Sequence, residues 1–219
     1  MKLFTILDEE DTLEVYYPDL VKWLLSKISN EFKGELGIDE ATNNMLSGHS
    51  CLSRQGNFLK LAKKCTFWSW KDINGRPVRI EYSCWSPPME TQKDQRASIV
   101  PANFVKFWKT AIDYYKTQYP NNIQMFGEIG VPSGDGACSD TNYYNAKHKR
   151  YDNQEAADGW YAQLIGSKML GIDRLDIWTV SLADYWPNWG PGGGLLSTGF
   201  NRPASPAYRV IKAIIGPED

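Results

Sequence analysis

The chain has 219 residues, of which 42% are hydrophobic and 23% are charged, and its formal net charge at pH 7 is -2. This composition suits a folded protein with a large core and excludes a disordered one. The sequence has no basic stripe for nucleic acid, no apolar run of about 18 residues for a membrane span, and no motif for a cofactor or a metal.

The first half of the chain alternates short apolar runs with amphipathic stretches. A continuous apolar run predicts a strand at 2–7, and apolar residues at helical spacing predict a helix at 17–32. A weaker strand at 35–39, a short helix at 57–65 and a strand at 77–85 follow. The expected inner stripe of the first helix is Leu20, Leu24 and Ile28.

The second half continues the alternation. It predicts a helix at 101–118, a buried strand at 122–130, a helix at 153–171, a strand at 174–182 and a closing helix at 205–216. The helices at 101–118 and 153–171 are the longest, and the residues that we expect them to bury are Phe104, Trp108, Ala111, Ile112, Tyr115, Ala157, Trp160, Tyr161, Leu164 and Ile165.

Strands that alternate with helices predict an α/β fold with a parallel sheet covered by helices, here as one domain spanning residues 1–219. In such folds, ligands bind at the carboxyl ends of the strands. Polar and aromatic residues follow the predicted strands of this chain at those ends. We therefore expect the substrate to contact Glu9, Asp39, Asn43, Tyr82, Trp85, Asp184 and Trp186.

Two carboxyl groups at the mouth of one sheet are the minimum equipment for glycoside hydrolysis, in which one acts as acid and base and the other attacks the sugar or activates water. Glu128 interrupts the apolar run "QMFGEIG" and stands between two glycines, which leave room for a substrate. It is the candidate nucleophile. Glu10 is the candidate acid, with Glu9 as the alternative, because alternation along a strand points only one of the two into the mouth.

Aromatic residues are numerous, with 9 tryptophans, 12 tyrosines and 8 phenylalanines. Several lie in polar, glycine-rich stretches such as "ADYWPNWGPGGG" (183–194), and flat rings on loops suit sugars, which have apolar faces and polar edges. A core position is the alternative for each of the strand-end rings. From the residues alone, we favour the core for Trp178 and sugar stacking for Trp186.

The other reactive side chains indicate little chemistry. The four cysteines form no CxxC pair, so a zinc site is not expected; Cys51 and Cys65 either close one loop in an oxidising compartment or are free thiols. His49 and His148 fall in predicted loops and are interpreted as surface residues.

Several segments together resemble a known group of enzymes: "LFTILDEEDTLE", "VRIEYSCWSP", "IQMFGEIGVPS", "DIWTVSLADYW" and "TGFNRPASPAYRVI". They are similar to the second part of a retaining (β/α)8-barrel glycoside hydrolase, of the clan that includes endo-mannanases and cellulases. The resemblance implies that Glu10 is the acid/base and that Glu128 is the nucleophile. A tryptophan of the final strand usually lies beside the cleaved sugar in this clan, and Trp178 is included among the expected substrate contacts. The clan usually has Asn-Glu where this chain has Glu9-Glu10.

The resemblance implies a partial TIM-type barrel, with about five parallel strands in sequential order and helices on the outside. A complete barrel has eight strands in about 250 residues, and the first three are missing here. Two bare sheet edges would remain, so we expect self-association into a homo-oligomer. A polysaccharide hydrolase is expected outside the cell, although the first 14 residues contain no apolar run long enough for a signal peptide.

The functional expectation is endo-acting, retaining cleavage of a β-1,4-linked plant polysaccharide, cellulose or mannan, without a cofactor. The first alternative is a non-catalytic half-barrel that binds carbohydrate. The second is a doubly wound α/β protein with an unrelated ligand, whose strand order would reverse at a switch point instead of following the chain.

Overall fold

The structure is a computed structural model, and it describes residues 3–5, 18–41, 75–77, 79–85, 89–90, 96–131, 135–136, 138, 152–177, 185–186, 190–191 and 206–216. The strands are β1 (Leu3–Thr5), β2 (Glu35–Ala41), β3 (Arg79–Trp85), β4 (Gln124–Gly130), β5 (Leu175–Ile177), β6 (Tyr185–Trp186) and β7 (Gly190–Pro191). The helices are α1 (Pro18–Glu31), α2 (Pro101–Gln118), α3 (Asn153–Met169) and α4 (Pro206–Ile215), and a 3-10 turn spans Arg96–Ser98.

The five predicted strands correspond to β1–β5, which form one sheet in the order β1-β2-β3-β4-β5. The pairs β1–β2 and β2–β3 are parallel, with Leu36 opposite Phe4 and Ile38 opposite Ile80. Sequential order is what a barrel segment requires, because each helix returns the chain to the next position in the sheet. The predicted α/β fold is therefore confirmed, and the doubly wound alternative is wrong.

The chain groups into two compact units, one made of Met1–Ser83 with Thr110–Gly127 and the other of Cys84–Lys109 with Glu128–Asp219. In the first unit, Tyr82 is fully buried against two aromatic neighbours, Tyr115 at 6.3 Å and Phe126 at 5.9 Å between ring centroids. We call Tyr82, Tyr115 and Phe126 the aromatic cluster. At the end of α1, the Arg76 guanidinium donates to the carbonyl oxygens of Ser29, at 3.3 Å, and Phe32, at 3.2 Å.

The second unit is organised around α3. Trp108 and Trp160 are almost completely buried, as their helical spacing predicts. Gly166 lets α3 approach α2 closely, since a Cβ at this position would lie 2.6 Å from Cδ1 of Phe104. Gly159 does the same toward Cys138, whose Sγ would lie 2.7 Å away. Two glycines that lie two turns apart on α3 therefore allow this close packing.

Two core predictions are wrong. Leu20 is 46% exposed on α1, and Tyr161 is 48% exposed on α3, although the periodicity of the sequence placed both on inner faces. Each lies at the margin of its apolar stripe, where a rotation of the helix by part of a residue step moves the side chain to the surface.

Two predicted elements cannot be compared in full with the structure, and one observed pair of strands was not predicted. The predicted helix at 57–65 and the second half of the predicted strand at 174–182 lie outside the described residues. The aromatic stretch after β5 contains the antiparallel pair β6–β7, in which Tyr185 is opposite Pro191 and Trp186 opposite Gly190; the sequence did not predict this hairpin. In the described part of the chain, no helix is long and apolar enough to cross a membrane.

Candidate active site

The candidate nucleophile lies in the fourth strand of the sheet. Glu128 is the fifth of the seven residues of β4, and the strand ends two residues later, at Gly130, as the sequence predicted. Asp39 has the same position in β2, two residues before the last residue, Ala41. Glu9 and Glu10 lie outside the described residues, and their convergence with Glu128 stays a prediction.

The end of β4 is fixed by α3. Ile129 is fully buried, and Gly130 is buried directly after it. The Nε2 amide of Gln163, itself fully buried, donates to the carbonyl oxygen of Gly130 over 3.1 Å. A buried side-chain amide that holds a strand carbonyl positions the backbone on either side of it, so α3 stabilises the segment that carries Glu128.

The loops that follow β3 and β4 are joined by hydrogen bonds. The carbonyl oxygen of Cys138 accepts from the backbone N–H groups of Met89 and Glu90, at 2.9 and 3.0 Å. The side-chain amide of Asn103 then donates to the carbonyl oxygens of Met89, at 2.6 Å, and of Ser98, at 2.9 Å. Two loops that leave neighbouring strands at their carboxyl ends are therefore fixed to each other and to the first turn of α2.

One carboxylate organises the turn after β4. Glu155 accepts from the backbone N–H of Gly136 through Oε2 and from that of Cys138 through Oε1, both at 2.8 Å. Gly136 has φ +85°, which glycine adopts without strain. Asp152 caps α3 by accepting from the N–H groups of Gln154 and Glu155. We call Gly136, Cys138, Asp152 and Glu155 the Glu155 cluster.

The electrostatics of this cluster are dominated by burial. Burial raises the pKa of the Glu155 carboxyl, and the negative charges of Glu90 and Asp152 raise it further, whereas the two N–H donors lower it. Burial also raises the pKa of the Cys138 thiol well above its ordinary value, and the Glu155 charge adds to this effect. The thiol is therefore protonated at neutral pH and is a poor nucleophile.

Three carboxylates in this region offer oxygens within 4.8 Å of one another, namely those of Asp135, Asp152 and Glu155. Both Glu155 oxygens already accept short bonds from backbone N–H groups, and Oδ1 of Asp152 accepts two more. This arrangement favours a structural role over a metal site. The spacing Asp152-x-x-Glu155 is that of a capping box, and it is the sequence signal by which this pair could have been found.

The predicted substrate-binding residues have different outcomes. Trp85 is the last residue of β3, and Trp186 lies in β6, so both backbones are placed at the end of an element, as expected. Tyr82 requires a correction: it is 0% exposed, and its hydroxyl donates to Oε1 of Gln124 over 2.9 Å, so it is a core residue and not a sugar contact in this structure. The predicted contacts outside the described residues are Glu9, Asn43, Trp178 and Asp184.

Solved structures with the same fold are β-mannanases of family GH113. The complex structure of a GH113 β-1,4-mannanase has a TM-score of 0.62 and 16% sequence identity, covering 97% of this chain and 55% of that chain. A second GH113 β-1,4-mannanase structure has a TM-score of 0.60 and 15% identity with the same coverage. The GH113 β-mannanase AaManA from Alicyclobacillus acidocaldarius, in complex with ManMIm, has a TM-score of 0.59 and 13% identity, again covering 97% and 55%.

At the level of sequence, no family model matches the chain, and no curated protein matches it. The structural similarity establishes the fold, which is a partial TIM barrel. The chain spans about half the length of the mannanases that it resembles.

Proposed function

We propose that this protein is a retaining, endo-acting glycoside hydrolase that cleaves a β-1,4-linked mannan. The observation that carries the proposal is the shared fold with GH113 β-mannanases over 97% of this chain. The position of Glu128, near the carboxyl end of a central strand and beside glycines, supports it. The three similar structures named above are all mannanases, and this favours mannan over cellulose, which the sequence left as an equal substrate.

In the proposed reaction, the protonated Glu10 gives its proton to the glycosidic oxygen while the Glu128 carboxylate attacks the anomeric carbon. The bond between that carbon and the leaving oxygen breaks, and a covalent glycosyl ester forms on Glu128. A water molecule then attacks the anomeric carbon, Glu10 takes its proton, and the Glu128 carboxylate is released. Two displacements retain the anomeric configuration.

The two carboxyl groups need different protonation states before the first step. Glu10 has to keep its proton near neutral pH, which requires an apolar setting or a neighbouring negative charge, whereas Glu128 has to be ionised. Their carboxyl carbons are expected about 5–5.5 Å apart, the separation at which a carboxylate reaches the sugar without an intervening water. The adjacent Glu9 would supply the negative charge that keeps the proton on Glu10.

The test is an assay of reducing-end release by the full chain on soluble β-1,4-mannan, a soluble cellulose derivative and xylan. We expect turnover of mannan, and a decrease of at least about 1,000-fold in kcat for Glu128→Gln with little change in binding, because removal of a nucleophile acts on the transition state alone. Glu10→Gln is expected to lower kcat strongly, and Glu9→Gln distinguishes the two adjacent candidates.

The matched control is Glu31→Gln, which removes an exposed carboxylate at the end of α1 and should leave kcat unchanged. Full activity of Glu128→Gln would remove Glu128 from the mechanism. Binding of mannan by the wild-type chain without any release of reducing ends would identify the carbohydrate-binding half-barrel instead.

A further inference from the structure

A groove of about 500 Å³ lies in the second unit and is lined by residues of α3, of α4 and of the segment that contains the 3-10 turn. We call it the Tyr161 groove, and its walls are Arg96, Ile99, Ala157, Asp158, Tyr161 and Val210. Its volume falls within the range of pockets that hold small molecules. Neither the proposed reaction nor the packing of the sheet uses these side chains.

The exposed ring of Tyr161 is the first unusual feature of the groove. An amphipathic helix normally presents short or charged residues to solvent, yet Tyr161 is 48% exposed. A residue two positions further along, Gln163, faces the opposite way and contacts Gly130. Tyr161 is therefore not needed for core packing, and its ring offers a flat apolar surface with a polar hydroxyl edge.

A fixed polar pair stands beside this ring. Nε of Arg96 contacts Oδ2 of Asp158 over 3.2 Å, and Nε2 of Gln154 donates to Oδ1 of the same carboxylate over 3.0 Å. Both sides of Asp158 are thereby held in place. A guanidinium has five N–H donors, and the contact with Asp158 uses the one on Nε, so the pair can both donate to and accept from a ligand.

The remaining walls are apolar, being formed by Ile99, Ala157 and Val210. The groove thus combines a flat ring, an apolar base, and donors and acceptors of no net charge. A free phosphate or another anion is disfavoured, because Asp158 neutralises Arg96. A purely apolar ligand would make no use of the remaining donors of Arg96. A pyranose, with one apolar face and hydroxyl groups around its edge, matches all three parts.

The groove also lies on a suitable side of its unit. Asp158 and Tyr161 belong to the first three turns of α3, and α3 is the helix that follows β4 in the chain. In a strand–helix unit, the helix begins near the carboxyl end of the strand before it. The groove is therefore on the side toward which the strand that carries Glu128 runs.

We propose that the Tyr161 groove is a second carbohydrate site, which holds part of a β-linked polysaccharide outside the cleft where cleavage occurs. This inference rests on the proposed function for its choice of polysaccharide but not for the existence of the site. Its role is to retain a long substrate, because two linked contacts on one chain raise the apparent affinity without any change at the reacting bond.

The experiment compares binding of the full chain to insoluble β-1,4-mannan with turnover of a short, soluble manno-oligosaccharide. Tyr161→Ala should weaken binding to the polymer about tenfold, which is the loss expected for one ring that stacks on a ligand. Tyr161→Phe keeps the ring and should stay within about twofold of wild type. Arg96→Ala should weaken polymer binding by a smaller factor. Turnover of the short substrate should be unchanged in all three.

The matched control is Trp23→Ala, which removes another exposed aromatic ring, 54% exposed on α1, and should leave polymer binding unchanged. The proposal that the groove binds carbohydrate would be overturned if Tyr161→Ala bound mannan as tightly as the wild type. It would also be overturned if the wild-type chain bound no mannan. An equal loss in Trp23→Ala would also overturn it, because binding would then be nonspecific. If Tyr161→Ala loses binding while the wild-type chain releases no sugar, the groove stands and the proposed hydrolase fails.

Discussion

The aromatic cluster is buried, as are Gly136, Cys138 and Glu155 of the Glu155 cluster, but the two clusters are stabilised by different interactions. Tyr82, Tyr115 and Phe126 meet through ring contacts, with one hydrogen bond from Tyr82 to Gln124. In the Glu155 cluster, a single carboxylate accepts from two backbone N–H groups of a turn that the chain reaches 17 to 19 residues earlier. The first cluster depends on shape and apolar area, and the second on charge and hydrogen bonding.

This difference determines how much stability each cluster loses when one of its residues is substituted. Apolar contacts are numerous and individually weak, so the loss of one polar atom in the aromatic cluster leaves most of the packing intact. A buried carboxylate with two donors has no substitute, since its removal leaves both N–H groups without an acceptor in a site that is shielded from water. The turn after β4 therefore depends on the single residue Glu155, whereas the aromatic cluster depends on no single polar group.

The largest effect on stability is expected for Glu155→Ala. Two buried N–H donors, those of Gly136 and Cys138, would lose their acceptor, which corresponds to about 2–5 kcal/mol of the free energy of unfolding. Glu155→Gln keeps one carbonyl oxygen and should lose about half as much. Urea denaturation of both variants measures the difference. Lys168→Ala, an exposed change on the same helix, is the control and should stay within about 0.5 kcal/mol.

If Glu155→Ala unfolds at the same urea concentration as wild type, the turn after β4 is held by something other than this carboxylate, and the contrast between the clusters fails.

A smaller loss is expected for Gly166→Ala, which tests packing within the second unit. The new Cβ would meet Cδ1 of Phe104 at 2.6 Å, a ring that is itself fully buried. Overpacking of this kind costs about 1–3 kcal/mol, from which the better helix propensity of alanine removes up to about 1 kcal/mol. Thermal unfolding at several pH values measures the net effect. A stabilised variant would mean that α3 and α2 can separate without cost.

Tyr82→Phe tests the hydrogen bond between the aromatic cluster and Gln124. The variant keeps the ring and removes the hydroxyl that donates to Gln124, so we expect a loss of about 1 kcal/mol. The double variant Tyr82→Phe with Gln124→Leu removes both partners and should recover part of this loss. A loss as large as that of Glu155→Ala would show that the two clusters are not held differently.

The smallest effect concerns pH. The folded-state pKa of Glu155 is raised by burial, so the native state binds more protons than the unfolded state between the ordinary glutamate pKa and the raised value. Stability should therefore fall as pH rises through that window, by less than about 1.4 kcal/mol per pH unit for one proton. The difference in unfolding free energy between wild type and Glu155→Gln isolates this contribution; a difference that grows with pH in the same window would have the wrong sign.

Most of the fold could be predicted from the sequence because its elements are defined by local periodicity. The strong helix at 101–118 has the predicted bounds, and its five expected core residues are all buried. The errors fall where periodicity is ambiguous, at the edge of an apolar stripe. Tyr161 is such a residue, since the same spacing fits an inner or an outer position until the neighbouring helix is known.

The candidate site was predicted in part, for a related reason. The place of Glu128 in a strand follows from a local pattern, whereas the sequential strand order was implied by the family resemblance. Tyr82 was expected at the mouth because it lies near the end of a predicted strand, and only the packing of Tyr115 against it reveals a core residue. The pairing of Glu155 with Gly136 joins positions 19 apart, and no local pattern of charge or spacing identifies the acceptor of a particular backbone N–H.

The most direct test of the central claim is to trap the covalent intermediate. The full chain is incubated with an activated 2-deoxy-2-fluoro-β-mannoside, whose fluorine slows the second displacement, and the intact mass and proteolytic peptides are then measured. The account predicts one added glycosyl group, on the peptide that contains Glu128, and none on Glu128→Gln. An adduct on any other residue, or mannan turnover with no adduct at all, would contradict it.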